Sequence, residues 1–212
     1  MHDPVTTLTN EVYALFMCHL MAGTKESVEY TRLLLEDVKQ AKKGEGPHVL
    51  WMHMMPFLQA PVKEIFNYQG QMHIRACDFV ADGFQKAHHE DPYEAMAEKM
   101  VNCIYNGSVE QRIAKANELA QLIDADGGIL FAHWGCKGTI GASGLIKNSL
   151  EASGLPTIIL DGDGCNPANG CAHGQRGWQP RLQSALAAAA PQTPGSGPGP
   201  ALPSPRRGRR SG

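Results

Sequence analysis

"GGILFAHWGCKGTIGASGLIKNSLEASGLPTIILDGDG", residues 127–164, reads as strand, helix, strand. "GGILFAHW" and "PTIILDGDG" are short apolar runs of strand length, while "TIGASGLIKNSLEASG" between them has helical spacing and a stop at Gly154. Two strands joined by one helix make a βαβ unit, so the stretch predicts an α/β domain with a mostly parallel sheet and right-handed crossovers. A ligand site is then expected at the carboxyl ends of the strands.

Upstream, the same pattern repeats. "HVLWMHMM" (48–55) and "MHIRACDFV" (72–80) read as buried strands, with "APVKEIFNYQG" (60–70) as the helix between them. "DPYEAMAEKMVNCIYNG" and "SVEQRIAKANELAQLIDA" read as two helices, N-capped by Asp91 and Ser108, with Pro92 at the first helical position. Two amphipathic helices open the chain, at Asn10–Met21 and Lys25–Lys43, the second capped by Thr24 and stopped by Gly44. The expected organisation is a helical segment over 1–45, an α/β domain over 46–170 and a tail over 171–212.

Composition sets the tail apart. All 21 acidic residues precede Cys171, whereas six of the 19 Lys and Arg follow it, among Pro, Gly, Ser and an alanine run. Such a mixture cannot bury enough apolar surface to offset chain entropy, and the tail is expected to be disordered. Residues 1–170 then carry 13 basic against 21 acidic residues, a balance that argues against nucleic-acid binding by the domain. No apolar run reaches the roughly 20 residues that span a bilayer, and the first residues lack the basic start and apolar stretch of a signal peptide. The expectation is a cytoplasmic protein with no membrane partner. Cys18, Cys77, Cys103, Cys136, Cys165 and Cys171 form no C-x-x-C pair, so in a reducing compartment they are free thiols or metal ligands.

Residues capable of chemistry fall at the strand ends: Met55-Pro56, Cys77-Asp78, His133-Trp134-Gly135-Cys136 and Asp161-Gly162-Asp163-Gly164. Cys136 stands just before a helix of small residues, where unpaired N–H groups and the positive end of the helix dipole favour a thiolate. Packing residue, nucleophile and metal ligand all remain open for it. Gly138, Gly141 and Gly144 match neither the dinucleotide nor the phosphate-loop spacing; close approach of this helix to the sheet or to another chain is the simpler reading. Asp161 and Asp163 resemble a phosphatase pair but lack a following lysine and further carboxylates, and Cys165 occupies an oxygen-ligand position of an EF-hand, so a tight turn is the simpler reading. "KAHHEDPYE" reads as a solvated polar loop, and Trp51, Trp134, Met52, Met54 and Met55 as core or rim packing.

"VLWMHMMPF", "DPYEAMAEKMVNCIYNGSVEQRI" and "ADGGILFAHWGCKGTIGASGLIKNSLEASGLPTIILDGDGCNPANG" together resemble the C-terminal half of the smaller (beta) subunit of the 2-hydroxyacyl-CoA dehydratase family, related to benzoyl-CoA reductase. The H-W-G-C-K, Y-N-G-S-V-E and L-D-G-D-G-C strings carry the likeness. It implies two Rossmann-like halves with a [4Fe-4S] cluster held between them by three cysteines, of which Cys136 is the one from this half. Cys77, Cys103, Cys165 and Cys171 match no ligand position.

The resemblance further implies a second dehydratase subunit, an ATP-dependent activator iron–sulfur protein and an acyl-CoA substrate. One electron converts the thioester carbonyl to a ketyl radical anion, hydroxide leaves the α carbon, and the β proton of the resulting radical becomes acidic enough to remove. The family's N-terminal half has no counterpart here and the likeness stops beyond Gly170, so the chain is expected to be a fragment with an aberrant end, inactive alone. A free-standing Rossmann-like binding module with a structural Cys136, and a benzoyl-CoA reductase-like subunit, are the alternatives.

Overall fold

The computed structural model describes residues 9–40, 46–56, 58–68, 72–79, 90–166 and the single helical positions 184 and 187. The basic tail, Cys171 and the histidines of "KAHHEDPYE" lie outside the described residues. Among the described residues, six helical elements and four strands run in the order α1 (Thr9–Leu20), α2 (Lys25–Gln40), β1 (His48–Met52), α3 (Ala60–Lys63, continuing as a π-helical turn over Glu64–Tyr68), β2 (His73–Cys77), α4 (Pro92–Asn102), α5 (Val109–Leu122), β3 (Gly127–His133), α6 (Lys137–Ala152) and β4 (Thr157–Gly162).

The four strands are parallel throughout and lie in the order β2-β1-β3-β4. The chain leaves β1 toward β2 and returns to place β3 on the other side of β1. The strand order therefore reverses between β1 and β3, where an open α/β sheet forms its ligand crevice. One register shift, between Val49 and Leu50, interrupts the β1–β2 ladder.

Alternation along the strands sends side chains to two separate cores. Val49, Trp51, Ile129, Phe131, Ile74 and Leu160 pack with Val12 of α1 and with Val62, Ile65 and Phe66 of α3 and its π turn. Leu50, Met52, Leu130 and Ala132 face the opposite way, onto Ala116, Leu119 and Ala120 of α5 and Ala142, Ile146 and Leu150 of α6. Both faces of the sheet are covered, which explains why its strands read as unbroken apolar runs.

Local signals set most boundaries. Asp91 accepts the N–H of Tyr93 at 2.8 Å and Ser108 that of Gln111 at 3.4 Å, so both expected caps are formed. Thr24 likewise accepts the N–H of Ser27 at 3.2 Å. Gly154 adopts φ 92° after α6, the left-handed stop that glycine permits.

Three expectations are corrected. β1 was expected to run to Met55 but ends at Met52, because His53 turns to φ 71° and gives its N–H to the Asp78 carboxylate instead of the ladder. α4 was expected to run up to a break at Asn106-Gly107 but ends at Asn102, where the Asn106 side chain donates to Met100 O at 2.8 Å and Gly107 takes φ 101°. Gly138, Gly141 and Gly144 do not bring α6 close to the sheet: a Cβ on any of them meets nothing within 4 Å, and Thr139, Ala142, Ser143, Ile146 and Leu150 form the buried face.

Candidate functional site

Because all four strands are parallel, His53, Cys77-Asp78, His133 and Asp161-Gly162 emerge at one pole. α6 starts at that pole with Cys136 as its N-cap, at φ −107° and ψ 91°. A turn set by Cys136 N–H donating to His133 O at 2.9 Å links strand to helix.

Cys136 is half-buried, and its Sγ lies 3.2 Å from Thr139 Oγ1, a buried hydroxyl one turn into α6. The Thr139 hydroxyl, the backbone N–H groups of Thr139 and Gly138 and the positive charge of Arg112 together hold the thiol below its ordinary range. A thiolate at this position accepts those donors at the positive end of a 16-residue helix. These contacts shift Cys136 toward the thiolate, the form that a metal ligand or a nucleophile uses.

Cys77 is the opposite case. Fully buried, with Sγ 3.7 Å from His53 O, it is pushed well above the ordinary thiol range by burial and by the neighbouring Asp78. Burial therefore favours the protonated thiol.

Beside Cys136 stands a buried polar cluster. Asp78 accepts the His53 N–H at 2.6 Å and is further bonded by the Tyr105 hydroxyl and the Phe79 N–H. Burial nevertheless raises its carboxyl to about 6. Arg112, on the first turn of α5, places Nη2 4.0 Å from Asp78 Oδ2 and its guanidinium 4.6 Å from the centre of the Tyr105 ring. Arg112 Nε and Nη2 and His53 Nδ1 are buried with no hydrogen-bond partner among the described residues. Burial, together with the charges of Arg112 and His133, lowers His53 to about 4, so its imidazole is neutral at physiological pH.

Aromatic rings close the cluster. Phe79 stacks on Phe16 of α1 with centroids 4.5 Å apart, and meets Tyr105 at 5.0 Å and His53 at 5.2 Å. Trp51 is buried in the core, whereas Trp134 is half-exposed beside Cys136.

The strand-end reading names Cys136, Asp78 and His133, which the structure brings to one pole, and does not name His53, Tyr105 and Arg112, which it groups beside them. Arg112 had a signal: it sits four, seven and eight residues before Ala116, Leu119 and Ala120, on the stripe that α5 buries. A charge on that stripe requires a buried partner. Asp163 Oδ1 accepts the N–H groups of Cys165 and Asn166 at 2.8 and 3.2 Å, which makes the segment after β4 the tight turn expected of it.

No helix among the described residues is long and apolar enough to cross a membrane. The family model of the 2-hydroxyglutaryl-CoA dehydratase D-component matches residues 1–183, past Gly170, where the likeness was expected to stop. No curated protein matches the chain.

Proposed function

Because the chain belongs to the 2-hydroxyglutaryl-CoA dehydratase D-component family, we propose that it supplies one α/β half of a subunit that removes water from a 2-hydroxyacyl-CoA, with Cys136 as its ligand to a [4Fe-4S] cluster. The observation that carries this reading is the Cys136 thiol, half-exposed at the switch-point pole and biased toward the thiolate by Thr139, the N-terminus of α6 and Arg112. Thiolate is the ligand that iron–sulfur clusters take, and the donor set fits one such bond from this half. A bound cluster supplies single-electron transfer to the thioester.

The chain's own residues then hold and shield. Arg112 keeps a fixed positive charge beside the Cys136 sulfur. Asp78, bonded to His53 N–H, fixes the chain where β1 ends, and Phe16, Phe79 and Tyr105 keep water from the cluster of charges. His53, neutral and with no partner for Nδ1 among the described residues, offers that atom to a polar group of a substrate. The remaining cluster ligands come from protein outside this half, and a second subunit and an ATP-dependent activator protein complete the system.

Anaerobic reconstitution with iron and sulfide tests the reading, using the full chain alone and mixed with a separately supplied N-terminal half of such a subunit. Broad visible cluster absorbance that needs both halves and disappears in Cys136→Ala is expected. Absorbance indifferent to Cys136 would instead favour a binding module with a structural cysteine.

A further inference from the structure

The turn after β4 brings together three metal-ligating side chains that the dehydratase reading does not use. His133, Asp163 and Cys165 each offer one ligand atom, and the three atoms lie within 4.8 Å of one another. A ring nitrogen, a carboxylate oxygen and a thiolate sulfur form a borderline donor set. Calcium and magnesium prefer shells of oxygen, whereas a zinc-like ion accepts N, O and S ligands in a four-coordinate site.

The cradle is held by the fold. His133 Nδ1 lies 3.3 Å from Gly162 O and 3.2 Å from Gly164 N, so the backbone of the turn sets the angle of the ring. Asp163 Oδ1 binds the N–H groups of Cys165 and Asn166, curling Cys165 back toward it, and Gln59 Nε2 donates to Asp163 O at 3.2 Å. Gly164 is clamped against the core, since a Cβ there would stand 3.1 Å from both Met54 Cε and Phe131 Cε1. Cys165 itself is exposed, which gives an ion a route from solvent.

We propose that His133, Asp163 and Cys165 form a binding site for one divalent transition-metal ion of the zinc class, with water completing its shell. The site goes beyond the dehydratase reading and does not depend on it, because Cys136 is not among its ligands. As the metal–sulfur bond forms, the Cys165 thiol gives up its proton to solvent, so apparent affinity rises with pH.

Cobalt(II) titration of the full chain, reduced and free of affinity tags, tests the proposal. One equivalent should produce the intense visible bands of four-coordinate cobalt and a near-ultraviolet sulfur-to-cobalt charge-transfer band. The charge-transfer band should vanish in Cys165→Ser, affinity should fall at least about tenfold in His133→Gln, a loss of about 1.4 kcal/mol or more, and Cys136→Ala should leave both unchanged. A band that survives Cys165→Ser, or that vanishes in Cys136→Ala, overturns the site. In the wild-type chain, zinc should protect Cys165 from iodoacetamide while Cys18 and Cys103 react as before; equal alkylation of Cys165 with and without zinc overturns it equally. Cluster reconstitution in Cys165→Ser should match wild type, so the two readings fail separately.

Discussion

Two buried groups in contact carry opposite pH dependences. His53 is held neutral down to about 4, below the ordinary 6.5, so as pH falls the unfolded chain takes up this proton first and the folded state loses stability between about 6.5 and about 4. Asp78 is held protonated up to about 6, against an ordinary 3.8; here the folded state binds the proton first, and stability falls as pH rises through that window. The two effects oppose each other between about pH 4 and 6. Relative to wild type, Asp78→Asn should lose stability as pH drops from 6 to 4 and His53→Gln should gain it, each on the order of 1–3 kcal/mol. Urea denaturation at a series of pH values measures both slopes, and parallel curves for the two variants would contradict the assignment.

At the scale of the element, one substitution has opposite signs in two places. Gly128 lies in the central strand β3, where a Cβ would stand 2.7 Å from Thr157 Oγ1 and 3.4 Å from Met52 Cε. Thr157 cannot retreat easily, being buried with its hydroxyl donating to Leu155 O at 3.0 Å. Gly128→Ala should therefore cost about 1–3 kcal/mol. Gly144, inside α6, has open space where a Cβ would go, and Gly144→Ala should stabilise by about 0.5–1 kcal/mol through lower chain entropy in the unfolded state. Thermal melts of the two variants decide between these signs. A smaller element-scale effect belongs to Ser108, the N-cap of α5, which holds Arg112 in the first turn: Ser108→Ala should cost about 1 kcal/mol by urea denaturation.

Across the whole molecule, stability concentrates in the two cores on either face of the sheet, while the outer helices carry apolar residues that bury little. Leu50 is fully buried between β1 and the α5–α6 layer, whereas Leu35 of α2 is 52 % exposed. Leu50→Ala should cost about 2–5 kcal/mol and Leu35→Ala no more than about 0.5 kcal/mol in the same urea measurement. A large loss at Leu35 would show that α2 packs more tightly than its exposure indicates. α1 differs from α2 in that Val12 joins the core below the sheet and Phe16 covers the polar cluster, so this helix contributes to both the fold and the site.

The order of elements, the parallel sheet, the helix caps at Thr24, Asp91 and Ser108 and the position of Cys136 ahead of α6 were all legible in the sequence. Each is decided by neighbours a few residues away: a period of apolar side chains, a capping hydroxyl or carboxylate, a glycine at a turn. The grouping of His53, Asp78, Tyr105 and Arg112 was not, because His53, Asp78 and the Tyr105–Arg112 pair are tens of positions from one another and meet only once β1, β2 and α5 pack. The early end of β1 has the same origin, since the Asp78 carboxylate from β2 takes the N–H that would otherwise have extended the strand. Local sequence determines which segments form strands and helices; only their packing decides which buried charges face one another and which thiol keeps its proton.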